Sequence, residues 1–471
     1  MSAPLVASPQ IPGLGLTHQR TLDTLVAQIQ RKARRNRLRR RYYDYKNALR
    51  DLGISIPPQL KNVETVVGWP AKAVDSMSRR TVLEGFILAD GGSTADLGLD
   101  AILDANRFEA LAPQAHTSAL IHSTAFGFVT AGDVGAGEPA VLLSARSAEW
   151  ATGTWDPRRR ALREALSLIS VDESGVPQEM VLYVPNLAII MRREGRSWDI
   201  RQSKHDLGVP VEALPYRPSL DRPFGSSRIS RPVMALTDSA VRTLLRTEVA
   251  AEFFNAPQRY ALGADEEAFG GKSGWEVMLG RLLTLTRDED GQLPTVGQFP
   301  QQSMVPNIDQ YRALAQAFAS ETSLPLRSLG VVGDNPESSE AIIEANKELE
   351  LEIRHWEDAS LGPAWKRLAT MALLMLDDSP AARATYAGLR AHWTDPTRVS
   401  VISAADAFVK KAAVIEGLGE TAVGLEMAGM TADQIERFTA ERRRLRGGAL
   451  LDRVLAARES AAPAVPVDDA R

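Results

Sequence analysis

Two amphipathic helices that bracket a strand-rich insertion are the feature of this sequence that most limits its fold. Residues 236–257 carry apolar side chains at helical spacing, with Thr237 as the predicted N-cap. Residues 307–322 repeat that pattern with an apolar face of their own. Between the two helices, residues 258–305 have little helical character and contain RLLTLT, an acidic turn and LPTVGQF, which predict a β-hairpin. The chain is therefore expected to hold a small β element at the end of a helix pair.

The residues before this helix pair alternate between helical and strand patterns. From 140 to 216 the sequence predicts short strands joined by turns, namely AVLLSA, MVLYV, LAIIMRR, WDIRQ and VPVEALPY, with a hairpin turn at residues 193–196. The pattern predicts a helix from Thr17 to Arg50, a helix over 64–78, a strand over 81–88, helical structure over 96–123 and a strand over 125–132. Together these elements predict an α+β fold with much antiparallel pairing.

A glycine-rich loop and a long helix follow the helix pair. Asn335 and Pro336 fit an N-cap and a first helical position, so a helix is predicted from there to about residue 376. Gly362-Pro363 should kink or break it. We expect a connection over 379–399, followed by helical segments at 403–415, 431–446 and 448–458.

Composition excludes several classes of chemistry. The 471 residues include no cysteine, which rules out disulfides, thiol catalysis and cysteine-bound zinc. The net charge of −4 does not favour a strongly basic nucleic-acid binder overall. No apolar run approaches the ~20 residues that span a bilayer, and the N-terminus lacks the pattern of a signal peptide, so we expect no membrane contact.

A Gly-Lys-Ser triplet at residues 271–273 raises the question of a nucleotide-binding loop. The phosphate-binding motif needs a glycine five residues earlier, where this chain has Glu266. It also needs a buried strand before and a helix after, whereas an acidic stretch precedes the triplet and Gly274 follows it. We interpret the segment as a solvated loop.

No arrangement of residues predicts catalysis or a metal. His116 and His122 are six residues apart in a predicted helix, which puts them on different faces and makes them poor joint ligands. No Gly-x-Ser-x-Gly motif is present. We expect no catalytic residue, no metal and no cofactor.

A run of basic residues lies in the second half of the first helix, at 31–47, where nine of seventeen residues are Lys or Arg. One interpretation is a solvated helix face. Another is a contact with nucleic acid or an anionic partner, with neighbouring tyrosines able to stack, and a third is a calmodulin-like or membrane-surface helix. The contact candidates are Arg37, Arg39, Arg40 and Arg41.

The long helix carries an acidic stripe with four-residue spacing, at Glu340, Glu344, Glu348 and Glu352. Like charges at this spacing repel one another and cost a few tenths of a kcal/mol per pair. The stripe is either a solvated face or a surface that repels an anion or meets a basic neighbour.

Three segments resemble the portal proteins of tailed double-stranded DNA bacteriophages, of the siphophage type. They are residues 231–263, residues 322–350 and RRRYYDYKNALRDLG at 39–53. The most specific element is Gly330 followed by Asn-Pro-Glu-Ser-Ser at 335–339. The resemblance covers roughly residues 20 to 460.

This resemblance implies a ring, usually of twelve copies, at one vertex of the capsid, with DNA passing through its axis during packaging and ejection. The implied partners are double-stranded DNA, the terminase large subunit, a head–tail adaptor, the major capsid protein and a scaffold protein. The implied location is the virion, after assembly in the host cytoplasm. The resemblance implies no enzymatic activity, since the packaging ATPase is the separate terminase.

The family layout divides the chain into an α/β wing, a two-helix stem, a small β-containing clip, a tunnel loop, a long kinked helix and a helical crown. The expected boundaries are a flexible N-terminus at 1–16, the wing at 17–232 with the long helix 336–376, the stem at 233–256 and 307–323, the clip at 257–306, the tunnel loop at 324–335, the crown at 377–458 and a disordered tail at 459–471.

Three groups of site residues follow from this layout, in addition to the basic candidates on the first helix. The expected DNA-channel loop residues are Arg327, Ser328, Asp334 and Asn335. The acidic channel-helix candidates are Glu340, Glu344 and Glu348. The candidates for docking an adaptor or the terminase at the clip are Glu266, Glu267, Asp288 and Asp290.

Two other classes stay open at this stage. One is a DNA-binding or DNA-processing enzyme that uses the basic helix 31–47 to hold nucleic acid. The other is a different phage structural protein, such as a shell or adaptor subunit. The order of helix, insertion, helix, loop and long helix argues against both, and a closed ring with a central hole would favour the portal.

Overall fold

The computed structural model describes most of the chain as two compact units, Met1–Pro396 and Thr397–Arg471. The described residues are 8–47, 65–89, 91–255, 259–262, 295–298, 303–331, 338–397, 401–431, 433–445 and 448. The units are treated separately below. Helices and strands are both abundant, which confirms the predicted α+β class.

The first unit begins with four helices, and one strand lies between the second and third of them in the chain. Helix α1 spans Leu16–Tyr43, α2 spans Trp69–Ser78, α3 spans Leu99–Ala105 and α4 spans Phe108–His122. Later come α5 at Arg231–Asn255, α6 at Val305–Thr322, α7 at Ser339–Trp356, α8 at Gly362–Leu374 and α9 at Pro380–Ala387. A π-helical segment, Glu357–Leu361, joins α7 to α8.

Twelve strands are described, and all of their pairings are antiparallel. A five-stranded sheet has the order β4-β5-β6-β7-β8 and a three-stranded sheet has the order β3-β2-β9, while β1 pairs with β12 and β10 with β11. The bounds are β1 Leu83–Leu88, β2 Thr124–Ala131, β3 Val141–Ser147, β4 Ala151–Asp156, β5 Ala161–Val171, β6 Pro177–Val184, β7 Leu187–Glu194, β8 Ser197–Lys204, β9 Val211–Pro215, β10 Arg259–Leu262, β11 Thr295–Gln298 and β12 Leu389–Trp393.

Both faces of the five-stranded sheet are covered, because its strands alternate apolar side chains between two clusters. On β6, Met180 and Leu182 join one cluster while Val181 and Tyr183 join the other. The apolar stripe of α1 packs in the first cluster, and Phe126 and Phe128 of the three-stranded sheet contribute to the second. The members of the α1 stripe are Leu22, Leu25, Val26 and Ile29.

The largest core lies among the helices. It joins side chains from α2, α4, α5, α6, α7 and α8, and its largest fully buried side chain is Trp365. Trp69 of α2 contacts Tyr311 and Phe318 of α6, with ring centroids 5.2 Å apart in both pairs. Burial of such rings contributes strongly to stability, so this core holds the helix pair against the N-terminal part of the unit.

Most predicted helices are confirmed, but several ends were wrong. Helix α1 starts at Leu16 and ends at Tyr43 rather than Arg50, and Tyr45 just beyond it has a φ of 60°. Helix α5 starts at Arg231, so Thr237 is an interior residue whose hydroxyl donates to the Val233 carbonyl at 2.8 Å. Val233, one turn before Thr237, is also buried, so the buried face of α5 extends beyond the predicted start.

The long helix also begins later than predicted. Ser338 is its N-cap, since its Oγ accepts a hydrogen bond from the amide of Ala341 at 3.2 Å. Asn335 and Pro336, the predicted start, lie outside the described residues. The interruption expected at Gly362-Pro363 is present as the π-helical segment just before them, which shifts the backbone hydrogen bonds by one residue.

The sequence patterns missed four elements. Strands β4 and β5 were not predicted, and residues 379–399, predicted as a connection, contain α9 and β12. Strand β12 pairs with β1, about three hundred residues earlier in the chain. Consequently, residues 389–393 belong to the first compact unit and form a strand, which differs from the helical crown expected over 377–458.

The described part of the second unit contains helices joined by turns. Helix α10 spans Val401–Ala412, α11 spans Ala422–Met427, and residues 433–445 are helical. Arg442 reaches back to Glu420, with 3.0 Å between Nη2 and Oε1. The helices predicted at 403–415 and 431–446 are thus confirmed in outline, and the one at 448–458 lies almost wholly outside the described residues.

Candidate functional site

Helices α5 and α6 pack side by side, which confirms the predicted helix pair. Their buried faces are formed by Ala240, Val241 and Leu245 of α5 and by Ala315 and Phe318 of α6. Strands β10 and β11 lie in the insertion between these helices and pair with each other, with Arg259 opposite Gln298. A small β element therefore does stand between the two helices.

The rest of the insertion lies outside the described residues. This includes all four clip candidates, Glu266, Glu267, Asp288 and Asp290, and the Gly-Lys-Ser triplet at 271–273. Their proposed docking role stays a prediction.

The segment after α6 turns sharply in two places. Ser323 has a φ of 51° and Gly330 a φ of 81°, and residues 326–329 form a single 3₁₀ turn between them. Arg327 is exposed on this turn, while Ser328 is half-buried and its amide donates to the Pro325 carbonyl at 2.8 Å. The other two loop candidates, Asp334 and Asn335, lie outside the described residues.

The acidic stripe of α7 separates into two parts. Glu344 and Glu348 are exposed, and Glu344 Oε2 lies 2.5 Å from Nζ of Lys347. Glu340 is helical, but its side chain is not described. Glu352, one turn further along the helix, lies instead in a buried cluster of polar groups, because this part of α7 packs against the largest core.

Arg228 is the centre of that cluster and is 5% exposed. Its Nε donates to the Ala73 carbonyl at 2.8 Å and its Nη2 to the Thr322 carbonyl at 2.6 Å. Its Nη1 lies 2.9 Å from Oη of Tyr216 and 3.0 Å from Oε2 of Glu352. One side chain thus connects α2, the end of α6, the end of β9 and α7.

Glu352 is held as a carboxylate by this arrangement. Tyr216 Oη donates to its Oε1, and Arg217 Nη2 approaches the same oxygen at 2.7 Å. Burial raises the pKa of Glu352, but the Arg228 charge and the other donors outweigh burial and bring the pKa below its usual value. The cluster is a fixed junction between the helix pair and the long helix.

Sequence reasoning treated Arg228 as part of a loop and Glu352 as part of an exposed stripe. The only local signal is a single arginine among serine and isoleucine residues in SSRIS at 226–230. Such a residue indicates a buried partner when it lies between apolar elements, since buried charges need pairing.

The four basic candidates on α1 are largely engaged within the chain. Arg39 donates to the His122 carbonyl at 3.3 Å, and burial, followed by repulsion from Arg35, lowers its pKa to about 10. Arg41 donates to the Lys46 carbonyl at 3.0 Å, and Arg37 is half-buried. Their role in binding DNA or the capsid stays a prediction.

Arg40 has a buried partner. Its Nη1 lies 3.5 Å from Oε2 of Glu149, whose side chain is 4% exposed, and its Nε lies 3.3 Å from Oδ2 of Asp44. His122 Nε2 is 3.8 Å from the same Glu149 oxygen. Arg40 therefore offsets part of the charge of Glu149, which lies just before β4, and its side chain is also half exposed to solvent.

The two histidines considered as metal ligands are core residues. Nε2 of His116 accepts from Nε1 of Trp365 at 2.9 Å, so its Nδ1 carries the proton and donates to the Thr81 carbonyl at 3.2 Å. Burial lowers the pKa of His116 to about 4, and burial with nearby arginines lowers that of His122 to about 3. Within the described ranges, no three His, Cys, Asp or Glu side chains gather as metal ligands.

No helix among the described residues is long and apolar enough to cross a membrane.

Comparison with known proteins connects this architecture to a family. The profile of the family described as "Phage portal protein, SPP1 Gp6-like" matches residues 22–446. The portal protein of Mycobacterium phage D29 is 27% identical over 421 residues, covering 87% of this chain and 84% of the relative. That of Mycobacterium phage L5 is 27% identical over 380 residues, covering 78% and 77%.

Solved structures with similar chains come from gene transfer agent particles. A chain of the native particle's virion is 14% identical, with 77% of this chain and 90% of that chain covered and a TM-score of 0.37. A chain from the neck of the empty particle, computed with C6 symmetry, is 13% identical, with 75% and 87% covered and a TM-score of 0.38.

Since the family profile spans nearly the whole chain, this chain belongs to the SPP1 Gp6-like family of phage portal proteins. Its role is that of a portal channel at the capsid vertex. The resemblance drawn from the helix pair and the glycine-rich loop is thereby confirmed.

Proposed function

We propose that twelve copies of this protein form a closed ring in the virion and that double-stranded DNA passes along the ring axis during packaging and ejection. The observation that carries the proposal is the family match over residues 22–446. In such a ring each subunit meets its two neighbours through different surfaces, a heterologous contact that rotation closes. The protein acts as a conduit, and the chemical work of packaging belongs to a partner.

The helix pair α5 and α6 is the stem of each subunit in this proposal. The start of α6 leaves Val305 56% exposed and Ile308 46% exposed. Apolar side chains exposed at the start of a helix are suited to a neighbouring stem, since burial of the exposed half of each contributes about 1 kcal/mol. Their exposure in a single subunit supports a contact between copies.

The segment from Arg327 through α7 faces the DNA in this proposal. Arg327 and Ser328, with Asp334 and Asn335, form the tunnel loop, and Glu344 and Glu348, with Glu340, form a face that repels phosphate. Support comes from the exposure of Arg327, Glu344 and Glu348 on elements whose other sides are buried. Repulsion keeps DNA from adhering to the channel, because tight phosphate contacts would resist its movement.

Residues 257–306 form the clip and dock the terminase large subunit and then the head–tail adaptor. The acidic candidates Glu266, Glu267, Asp288 and Asp290 provide charge for this contact. The wing, residues 17–232, contacts the major capsid protein and the scaffold, with Arg37 and Arg41 of α1 as candidates for an anionic partner. The crown begins near residue 397, where the second compact unit starts.

Electron microscopy of the purified protein tests the ring directly. We expect closed particles with twelve-fold symmetry and a central hole wide enough for B-form DNA. Monomeric particles that cleave DNA in the presence of magnesium would instead favour the DNA-processing enzyme and contradict the proposal.

The loop assignment has its own test. Arg327→Ala is expected to change packaging efficiency or DNA retention while the ring still assembles. If the variant loses the ring, Arg327 is a structural residue and its placement toward DNA is refuted.

A further inference from the structure

A cavity of about 510 Å³ lies beside α1 and opens to solvent. Lys32, Arg35 and Arg39, at three- and four-residue spacing on one face of α1, line one side of it. Arg222 and Arg231, from the segment that leads into α5, also line it. We call this cavity with its five cations the basic basin.

The charge of the basic basin is not balanced by its own lining. Asp221 is the single carboxylate among the described lining residues, against five cationic side chains. Burial lowers the pKa of Lys32, and repulsion from Arg35 lowers it further. Burial and then Arg35 lower the pKa of Arg39 in the same way. These cations therefore repel one another across a partly desolvated space.

Three of the five cations have side chains that bind nothing within the described part of the chain. Among the described residues, the side chains of Arg35, Arg222 and Arg231 make no hydrogen bond or ion pair, in contrast to that of Arg40, which lies 3.5 Å from Glu149. Arg39 uses one nitrogen for the His122 carbonyl. Several guanidinium groups around a cavity lined by a single carboxylate are suited to recognising phosphate, since each guanidinium can donate two parallel hydrogen bonds.

The remaining lining suits a phosphate attached to an organic group. The ring of Phe224 lies 5.0 Å from Nζ of Lys32, and Phe126 lies behind it, with 5.9 Å between the two ring centroids. Ser226 presents a further hydroxyl at the rim. The lining thus combines cationic and polar groups with two aromatic rings.

We propose that the basic basin is a phosphate-binding site and that its ligand is a phosphodiester group of double-stranded DNA. Phosphate binding stands on the basin alone, whereas the choice of DNA as its source rests on the proposed function. The basin is separate from the tunnel loop and the acidic helix, so it would hold DNA against the wing rather than line the axis. Of the four basic candidates on α1, only Arg39 lines the basin, and the other basin cations are Lys32, Arg35, Arg222 and Arg231.

The test compares two variants that lose the same charge from the full-length protein. Arg35→Gln/Arg222→Gln removes two basin cations. Arg31→Gln/Arg34→Gln removes two exposed cations of α1 that do not line the basin. Circular dichroism establishes that both variants are folded. Binding of a short DNA duplex is measured at several salt concentrations, together with isothermal titration of inorganic pyrophosphate.

We expect the basin variant to bind the duplex at least tenfold more weakly and to lower the slope of log K against log salt by about two, because each lost phosphate contact contributes about 0.9. The control variant should change the slope by less than half as much. Equal losses in both variants would show diffuse attraction by α1 and overturn the proposal.

The pyrophosphate arm separates the possible sources of the ligand. Pyrophosphate binding that depends on Arg35 and Arg222 and competes with the duplex supports the DNA source. Such binding without competition would confirm the phosphate site and overturn DNA as its ligand. Binding of polyglutamate, with neither pyrophosphate nor duplex bound, would identify an acidic protein as the ligand and overturn the proposal.

Discussion

Replacing Arg228 with methionine should weaken the contact between the helix pair and the long helix and so destabilise the subunit. The change removes the donor to the carbonyl oxygens of Ala73 and Thr322, which are buried in the same cluster. It also leaves Glu352 with only Arg217 and Tyr216 as partners. Removal of one member of a buried ion pair costs about 3–5 kcal/mol, because the remaining charge is uncompensated.

The expected loss lies in the lower half of that range. The side chain of Glu352 is 13% exposed and keeps Arg217, so part of its charge stays compensated. The carbonyl of Thr322, at the C-terminal end of α6, loses its donor and adds roughly 1 kcal/mol, whereas that of Ala73 lies inside α2 and keeps its helical hydrogen bond. We therefore predict that Arg228→Met lowers the free energy of unfolding of the unassembled subunit by about 3–4 kcal/mol. Urea titration followed by tryptophan fluorescence reports on it, since Trp356 packs on Tyr216 with 5.3 Å between ring centroids.

Two further variants make the interpretation specific. Arg217→Ala removes a partner whose side chain is 58% exposed and should cost less than about 1 kcal/mol. Arg228→Met/Glu352→Met replaces both members of the buried pair by apolar side chains and should recover at least half of the loss. A loss below about 1 kcal/mol for Arg228→Met, or a double variant no more stable than the single one, would refute this account of the junction.

Three other predictions concern stability in the same unfolding assay. The pKa of His116 is about 4 in the folded chain and about 6.5 in the unfolded chain. Between these values the unfolded chain binds more protons, so the free energy of unfolding falls by about 3 kcal/mol as the pH is lowered from 6.5 to 4. His116→Gln should remove this part of the pH dependence. Gly225→Ala should cost at least about 2 kcal/mol, because φ is 70° and the new Cβ would lie 2.0 Å from the carbonyl oxygen of Tyr216; an unchanged midpoint would contradict this. Arg40→Ala should cost about 1 kcal/mol, because buried Glu149 then keeps mainly the charge of Arg37 to offset its burial, and equal stability in the variant would show that the Arg40 pair contributes nothing.

Local sequence patterns were sufficient to predict the helix pair and one hairpin turn. The stripes of α5 and α6 and the turn at Gly195 depend on residues a few positions apart, and each is visible in the sequence. Strand β5 was harder to identify, because the arginines of DPRRRALRE at 156–164 hide its alternation between faces. Strand β12 is short and is stabilised by pairing with β1, a partner that spacing cannot reveal.

The candidate site shows the same limit at the level of single residues. Glu344, Glu348 and Glu352 have equal spacing, yet the first two are exposed and only Glu352 is largely withdrawn from solvent, where it meets Arg228 from a segment 124 residues earlier. Likewise Arg35 and Arg39 belong to one basic run, but burial and a carbonyl partner distinguish them. Sequence gives the type and spacing of charges, and tertiary packing decides which of them are available to a ligand.

The mass of the purified protein by native mass spectrometry tests the central claim most directly. Twelve copies of 51.3 kDa give a ring of about 616 kDa, and the account predicts a discrete species at that mass or one subunit to either side. A species of one or two subunits at every protein concentration, with the scaffold protein present as well as absent, would contradict it.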